Sequence, residues 1–182
     1  MKKGTLLTIA LVFSLLLVSA GCSKKRFELQ SSAFKNSGRI PDKYCYGNTE
    51  ERQNISIPFN WTNSPNDTQS FALIIHDPDG RNWIHWAVFN IPPNCNEIIE
   101  NASGNDMPMG SIELNNQFRT SGYGGPEPPR GSGTHGYIMT LYALNTAVIN
   151  DLGSFKSYAD IVSILEGKII AKAEITGTYS RE

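Results

Sequence analysis

The stretch from Ser70 to Ile91, SFALIIHDPDGRNWIHWAVFNI, decides the fold class. Its first part, Ser70–Ile75, is a nearly continuous apolar run, which predicts a strand buried on both faces. Asp-Pro-Asp-Gly follows and predicts a tight turn, since these residue types favour turn conformations. Trp83–Ile91 is a second apolar run of strand length. The stretch therefore predicts two buried strands joined by a turn, with polar residues at the strand ends.

The rest of the chain also favours β-structure. Tyr137–Leu144 is a third apolar run, and Ile169–Tyr179 predicts a closing strand. Ile55–Trp61 alternates but contains a proline, which predicts an edge or irregular strand. The polar segment from Asn94 to Gln117 predicts mostly loop with brief strand pieces. We expect one mainly antiparallel β domain without internal repeats.

One helix is marked near the C-terminus. Ser157 can cap it, and Asp160 stands three residues later, in the position of a capping box. Ile161 and Leu165 belong to an apolar stripe at helical spacing, and Gly167 is the expected stop.

Residues 1–21 have the pattern of a signal peptide rather than of folded structure. Lys2 and Lys3 precede the apolar run Leu6–Val18, which is too short for a stable membrane span. The following Ser19-Ala20-Gly21-Cys22 resembles a bacterial lipobox, although a lipobox usually has Leu at the first of these positions. We expect Cys22 to become the lipid-bearing first residue of a single domain over 22–182. Cleavage after a small-x-small site and plain secretion is the alternative.

If the protein is exported in this way, we expect it in the periplasm or cell envelope, anchored to the membrane through Cys22. Loss of Lys2 and Lys3 leaves 14 of the 16 basic residues against 17 acidic ones, a net charge of −3. Such a balance argues against nucleic-acid binding, which needs a basic face. The remaining length suffices for one domain with a real core.

Two further cysteines remain if Cys22 is acylated. Cys45 and Cys95 both lie in loop-like sequence, and an exported compartment permits them to pair. A Cys45–Cys95 disulfide is therefore a candidate, and two separate buried thiols are the alternative. Neither belongs to a Cys-x-x-Cys pair, which argues against a metal site.

All three histidines of the chain lie in two turn-rich segments. Strict alternation would place Trp83, His85, Ala87 and Phe89 on one face of their strand. The same rule places His135 and Tyr137 on one face, and Asp77 at the end of another apolar face. Three such strand ends could form one pocket with an apolar floor and a polar rim.

The expected pocket is rich in hydrogen-bond donors. Imidazole and tyrosine groups, with backbone N–H groups of Gly131-Ser132-Gly133, suit phosphate or carboxylate. We expect both His85 and His135 to donate to such an anion. His76 has the opposite strand parity from Asp77 and is expected to be structural or exposed.

The order of these motifs resembles the phosphatidylethanolamine-binding protein family, and more narrowly its bacterial Raf-kinase-inhibitor-like branch. The resemblance covers nearly all of the chain after the signal peptide. Its most specific motifs are Asp77-Pro78-Asp79-Gly80, His85-Trp86, Gly122-Tyr123-Gly124-Gly125-Pro126-Glu127-Pro128-Pro129 and Gly131-Ser132-Gly133-Thr134-His135-Gly136-Tyr137.

The resemblance implies a two-sheet antiparallel β-sandwich with a C-terminal helix. It also implies a non-catalytic, regulatory site without a cofactor, for a small anionic or zwitterionic ligand of the phosphate or phosphorylethanolamine type. The ligand-binding residues it implies are Asp77, His85, Pro128, Pro129, His135 and Tyr137, supported by Asp79 and Trp83.

The chain departs from the branch at three positions. Glu127 stands where Cys is frequent, Gly136 stands where Arg is common, and His76 precedes the Asp-Pro-Asp motif. An added acid and a missing Arg predict a less cationic pocket mouth.

Other functions remain as alternatives. The pocket rim could inhibit a partner enzyme such as a protease or kinase, as names within the resembled family suggest. A metal-dependent hydrolase would use the histidines and Asp77, but no His-x-His or His-x-x-x-His spacing is present. A serine hydrolase would use Ser132, but no Gly-x-Ser-x-Gly elbow is present.

Overall fold

The structure is a computed structural model that describes residues 25–153 and 157–182. The expected signal peptide, residues 1–21, and Cys22 lie outside the described residues. The elements within these ranges are β1 (Glu28–Gln30), β2 (Gly38–Arg39), a 3-10 helix (Asp42–Tyr44), β3 (Phe59–Thr62), β4 (Ser70–Asp77), β5 (Trp83–Ile91), β6 (Glu97–Ile98), β7 (Ile112–Glu113), β8 (His135–Leu144), α1 (Tyr158–Ile164) and β9 (Ile169–Tyr179).

The strands form two sheets, as the predicted sandwich requires. A small sheet has the order β1-β3-β6, and a large sheet has the order β2-β9-β8-β4-β5-β7. Neighbouring strands are antiparallel except β2 and β9, where Gly38 pairs in parallel with Gly177. The three long apolar runs of the sequence become β4, β5 and β8 and lie side by side in the large sheet. Each is almost wholly buried, because both faces of this sheet are covered.

Each face of the large sheet carries its own hydrophobic core. The sandwich face packs against the small sheet, so that Leu73 and Met139 share a cluster with Trp61. The other face, which we call the helix face, packs Ile74 and Phe89 against α1 and its flanking loops. The apolar stripe of α1 contributes buried residues to this second core, as its spacing predicts.

Strand β5 does not alternate strictly, and the predicted shared face of Trp83, His85, Ala87 and Phe89 is wrong. Ile75 pairs with Trp86 but His76 pairs with Ile84, which leaves one extra residue in β5. Such a bulge reverses the side-chain parity beyond it. Ala87 and Phe89 consequently lie on the helix face, whereas Trp86 lies in the sandwich core.

The helix and loop predictions are confirmed. Ser157 and Asp160 form a complete capping box, with backbone N–H bonds of 3.2 Å to the serine hydroxyl and 2.9 Å to the carboxylate. Gly167, in the turn after the helix, adopts a positive φ of 71° that few other residues accept. The segment 94–117 is largely loop, with the short strands β6 and β7.

For Ile55–Trp61 the irregular alternative is confirmed and the edge alternative is wrong. Regular strand structure begins only at Phe59, after the proline, and β3 lies at the centre of the small sheet rather than at an edge. Pro58 stands just outside the ladder, where its missing N–H interrupts no strand pairing.

The candidate disulfide is not formed, because Cys45 and Cys95 are both free thiols. Cys45 is buried in the sandwich core, and its thiol contacts the carbonyl oxygen of Pro41 at 3.8 Å. Burial raises the pKa of the Cys45 thiol to about 12. The sequence around Cys45 is typical of a loop, so it did not predict this core position.

Among the described residues, no helix is long and apolar enough to cross a membrane.

Candidate ligand-binding site

A pocket of about 310 Å³ opens at one end of the large sheet, near the lower limit of the volumes that small-molecule sites have. Four of its side chains come from the ends of β4, β5 and β8, and others come from the loop before β8. Six of the eight predicted ligand-binding residues line it. Its lining residues are Asp77, Gly80, Trp83, His85, Phe118, Glu127, Pro128, Pro129 and His135.

The turn after β4 holds Asp77 in place. Oδ1 of Asp77 accepts the backbone N–H of Gly80 at 2.8 Å, a bond within the Asp-Pro-Asp-Gly turn. A Cβ at Gly80 would lie 2.9 Å from Oδ2 of Asp77, so a glycine is needed for this close approach. The carboxylate is buried and has a defined orientation.

His135 and Asp77 form a buried pair across two neighbouring strands. Nδ1 of His135 lies 2.7 Å from Oδ2 of Asp77, and this nitrogen must donate because a carboxylate only accepts. Nε2 of His135 lies 3.0 Å from Oγ of Ser132, and that hydroxyl lies 2.7 Å from the carbonyl oxygen of Pro129. The serine has one hydrogen for two neighbours, and the shorter contact favours donation to the carbonyl.

His85 is fixed by the backbone of a loop about 40 residues further along the chain. Its Nδ1 lies 2.7 Å from the carbonyl oxygen of Gly124 and 3.1 Å from that of Gly125. Both partners only accept, so Nδ1 carries the hydrogen and Nε2 carries a lone pair. Burial lowers the pKa of His85 to about 4, which keeps the ring neutral near pH 7. A neutral His85 with this tautomer has no hydrogen left to donate to an anion, which differs from the expected role.

The loop that orients His85 is itself held tightly. A Cβ at Gly125 would lie 2.0 Å from the carbonyl oxygen of Tyr44, so only glycine fits there. The N–H of Gly125 donates to Oδ1 of Asn54 at 2.8 Å, and the N–H of Tyr46 donates to the carbonyl of Pro126 at 3.1 Å. These contacts fix the two carbonyl groups that set the His85 tautomer.

Aromatic side chains and two prolines form the apolar walls. Trp83 is 37% exposed at the rim and meets the Phe118 ring edge to face at 5.5 Å. Phe118 also stacks on Tyr46 at 4.1 Å between ring centroids. Sequence reasoning missed Phe118, because it lies in an irregular loop without any periodic pattern. The neighbouring Trp86 lies in the sandwich core instead.

Two predicted ligand-binding residues do not line the pocket. Asp79 is exposed, and its carboxylate accepts the backbone N–H of Gly136 at 2.8 Å, which ties the turn to β8. Tyr137 is fully buried below His85, with 5.2 Å between the ring centroids. Its hydroxyl has no hydrogen-bond partner among the described residues. Burial raises the pKa of Tyr137, so the hydroxyl keeps its hydrogen.

The electrostatics of the mouth differ from the expectation for Glu127. This carboxylate pairs with Arg181 at 3.1 Å and with Arg52 at 3.4 Å, so two guanidinium groups offset its charge. The predicted anion nest is also largely occupied. The N–H of Gly131 donates to the carbonyl of Arg181, and the N–H of Ser132 donates to that of Pro129.

His76 lies away from the pocket. It is buried on the helix face, where its ring stacks on that of Tyr158 at 4.0 Å. The structural interpretation of His76 is thus confirmed, whereas exposure is excluded. Within residues 25–153 and 157–182, no group of three or more His, Cys, Asp or Glu side chains has an arrangement suited to a metal ion.

The fold and pocket together define a two-sheet β protein with a small pocket at its strand ends. The pocket has apolar walls and contains an Asp–His pair and a second histidine. Residues 30–180 match the model of the phosphatidylethanolamine-binding protein family. The chain belongs to this family, within the bacterial and archaeal UPF0098 branch that includes YbcL.

Similar proteins agree with this assignment. A UPF0098 protein of Methanothermobacter thermautotrophicus is 40% identical over 156 residues, which cover 84% of this chain and 98% of that relative. The crystal structure of Escherichia coli YbcL, a member of the mammalian PEBP family, has a TM-score of 0.78 and 32% identity, covering 86% of this chain and 99% of that one.

A more distant likeness shows the fold alone. The carboxypeptidase Y inhibitor, solved in complex with its cognate proteinase, has a TM-score of 0.52 at 17% identity, and the match covers 86% of this chain and 83% of that one.

Proposed function

We propose that this protein is a non-catalytic binding protein with a regulatory role, whose pocket takes a small ligand with a phosphate-type headgroup. The observation that carries the proposal is the convergence of Asp77, His135 and His85 inside an apolar-walled pocket. Each of these side chains has a fixed orientation before any ligand binds. Pre-formed polar groups within apolar walls are typical of small-ligand sites.

The charges of the pocket favour an anion over a cation. Both oxygens of Asp77 already accept hydrogen bonds, from Gly80 and His135. Glu127 is paired with two arginines. A ligand oxygen can replace the hydroxyl of Ser132 as the partner of His135 Nε2, and the apolar part of the ligand can contact Trp83.

Calorimetric titration with inorganic phosphate and with phosphorylethanolamine tests this function. We expect weak binding of about −4 to −6 kcal/mol, because the site is small and open to solvent. His135→Ala should weaken binding by roughly 1.5–3 kcal/mol, the range of a hydrogen bond to a charged group. His76→Ala, on the helix face, is the matched control and should bind like the wild type. Equal binding by wild type and His135→Ala would overturn the proposal.

Hydrolysis is the alternative that one geometric observation favours. Ser132, His135 and Asp77 stand in the order of a hydrolase triad, with contacts of 3.0 and 2.7 Å. We propose binding instead, because the 2.7 Å contact to Pro129 directs the serine hydrogen away from His135. A fluorophosphonate should leave Ser132 unmodified. Labelling of Ser132 that His135→Ala abolishes would identify a serine hydrolase.

Inhibition of a partner enzyme through the pocket rim is the second binding candidate. The exposed Trp83 beside Pro128 and Pro129 favours it, since exposed aromatic residues often dominate protein interfaces. The distant likeness to an inhibitor of a proteinase is consistent with this candidate but shows the fold alone. If it is correct, Trp83→Ala should abolish inhibition while phosphate binding by His135 persists.

Location in the cell envelope, with a lipid anchor at Cys22, is part of the proposal. Its support is the lipobox-like Ser19-Ala20-Gly21-Cys22. The Cys22→Ser protein should move from the membrane to the soluble fraction and lose its acyl mass. Unchanged fractionation would leave plain secretion.

A further inference from the structure

His85 lines the pocket, and the ring nitrogen that its loop leaves unbonded is an acceptor, whereas an anion site ordinarily has a donor. Its Nδ1 hydrogen is committed to the carbonyl groups of Gly124 and Gly125, at 2.7 and 3.1 Å. Nε2 is the remaining ring nitrogen of this pocket-lining residue, and it carries a lone pair. A bare anionic oxygen facing that nitrogen would be repelled, whereas an O–H or N–H group would be bound.

His85 cannot change its tautomer for a ligand without losing its hydrogen bonds to the carbonyl groups of the loop. The other tautomer, with its hydrogen on Nε2, would place the lone pair of Nδ1 against the carbonyl oxygens of Gly124 and Gly125. Both hydrogen bonds would then be lost inside the protein. The loop that carries those carbonyls is held by the close packing of Gly125 on the backbone at Tyr44 and by its N–H bond to Asn54. Protonation of both nitrogens is opposed by burial, which lowers the pKa of His85 to about 4.

Few cationic groups are available to a ligand inside the pocket. Among the described residues, no Lys or Arg lines it. The two arginines at the mouth, Arg52 and Arg181, are paired with Glu127. A neutral His85 adds no positive charge. The site therefore has little to balance the second charge of a fully ionised phosphate.

We propose that the pocket selects phosphate monoesters in their singly protonated form, with the P–O–H group donating to Nε2 of His85. This inference rests on the proposed anion-binding function and adds the protonation state and ester class of the ligand. The other phosphate oxygens accept from His135. Phosphodiesters and sulfate esters carry the same single charge but have no hydrogen to donate, so they bind less well.

Methyl phosphate and methyl sulfate form the test pair. The second pKa of a phosphate monoester is about 6, so at about pH 5.5 both ligands are mainly monoanions of similar size that differ in one hydrogen. NMR titration of the full chain should give methyl phosphate about tenfold higher affinity than methyl sulfate, the effect of one hydrogen bond to a charged group. Between about pH 5.5 and pH 8 the affinity for methyl phosphate, relative to methyl sulfate, should fall roughly 75-fold if only the monoanion binds.

A second ligand pair separates the P–O–H donor from an ammonium donor. Phosphorylethanolamine and glycerophosphoethanolamine share the ammonium group, but only the first is a monoester. We expect the monoester to bind about tenfold more tightly at about pH 5.5. Equal binding of the two would mean that the ammonium group donates to His85 and would overturn the proposal.

The variant His85→Asn removes the acceptor but keeps a donor, because the asparagine amide can occupy the place of Nδ1 beside Gly124. It should lose the preference for methyl phosphate over methyl sulfate while still binding both. The matched control His76→Asn makes the same change in a buried histidine away from the pocket, and it should keep the preference. Thermal unfolding of both variants reports whether each is folded.

The outcomes separate this inference from the function on which it rests. Equal affinity of the wild type for methyl phosphate and methyl sulfate would overturn the selectivity and leave the anion pocket intact. Binding of neither ligand would overturn both. If folded His85→Asn kept the preference, the donor-selecting group would lie elsewhere and the proposal would be wrong.

Discussion

The two faces of the large sheet each bury a histidine, and the two residues differ in what surrounds them. On the sandwich side, His85 is held by two carbonyl groups and lines a pocket that also contains His135 and Asp77. On the helix face, His76 stacks on Tyr158, and its Nδ1 has no hydrogen-bond partner among the described residues. Burial lowers the pKa of both rings. Burial and a lowered pKa therefore do not identify a site; fixed partners that converge on a pocket do.

Removal of the Asp77 carboxylate should have the largest effect on stability. Asp77→Ala leaves the buried His135 and the N–H of Gly80 without their acceptor, and losing one partner of a buried pair typically costs about 3–5 kcal/mol. Denaturant unfolding measures this loss. Asp79→Ala, which removes one exposed hydrogen bond in the same turn, is the control and should cost about 1 kcal/mol. If Asp77→Ala lost less unfolding free energy than Asp79→Ala, the buried pair of Asp77 and His135 would be contradicted.

The next largest effect is a pH dependence that originates at His85. The unfolded ring takes up a proton near its ordinary pKa of 6.5, whereas the folded ring does so only near 4. The stabilisation is thus fully present above pH 6.5 and is lost as the pH falls towards 4. A difference of this size corresponds to roughly 3 kcal/mol.

Unfolding free energies at several pH values, for the wild type and His85→Asn, measure this contribution as their difference. His76→Asn should also reduce the loss of unfolding free energy at acid pH, because burial lowers the pKa of His76 as well. Parallel curves for the wild type and His85→Asn would show that the pocket ring titrates normally.

A smaller effect is expected on the helix face. Ser157→Ala removes the hydroxyl that accepts the N–H of Asp160, and loss of such a cap costs about 1 kcal/mol. Phosphate binding should be unchanged, because α1 packs on the opposite side of the sheet from the pocket. Ser163→Ala, within the same helix, is the control for hydroxyl removal and should be nearly neutral in denaturant unfolding. An altered phosphate affinity in Ser157→Ala would show that the two faces are coupled.

Sequence patterns predicted the elements well where a pattern is long and local. The runs that became β4 and β8, and the capping box at Ser157, depend only on neighbouring residues. The faces of β5 could not be predicted, because a bulge at His85 adds a residue without any marker in the sequence. Phe118 enters the pocket from a loop that has no periodicity.

The chemistry of the site was predicted less completely than its composition. The sequence motifs predicted that Asp77, His85 and His135 lie in one pocket, and the pocket lining confirms this. The role of His85 as an acceptor depends on the carbonyl groups of Gly124 and Gly125, which are far away in the chain. No pattern around His85 itself carries that information.

Nitrogen NMR of the histidine side chains tests the central claim most directly, since the chain has only three histidines and all can be followed together. Between about pH 5.5 and pH 8, well above a pKa of about 4, His85 should remain neutral with its hydrogen on Nδ1. Methyl phosphate should shift Nε2 of His85 and the ring of His135 while leaving His76 unchanged. A hydrogen on Nε2 of His85, or a ligand response at His76 with none at His85 and His135, would contradict the account.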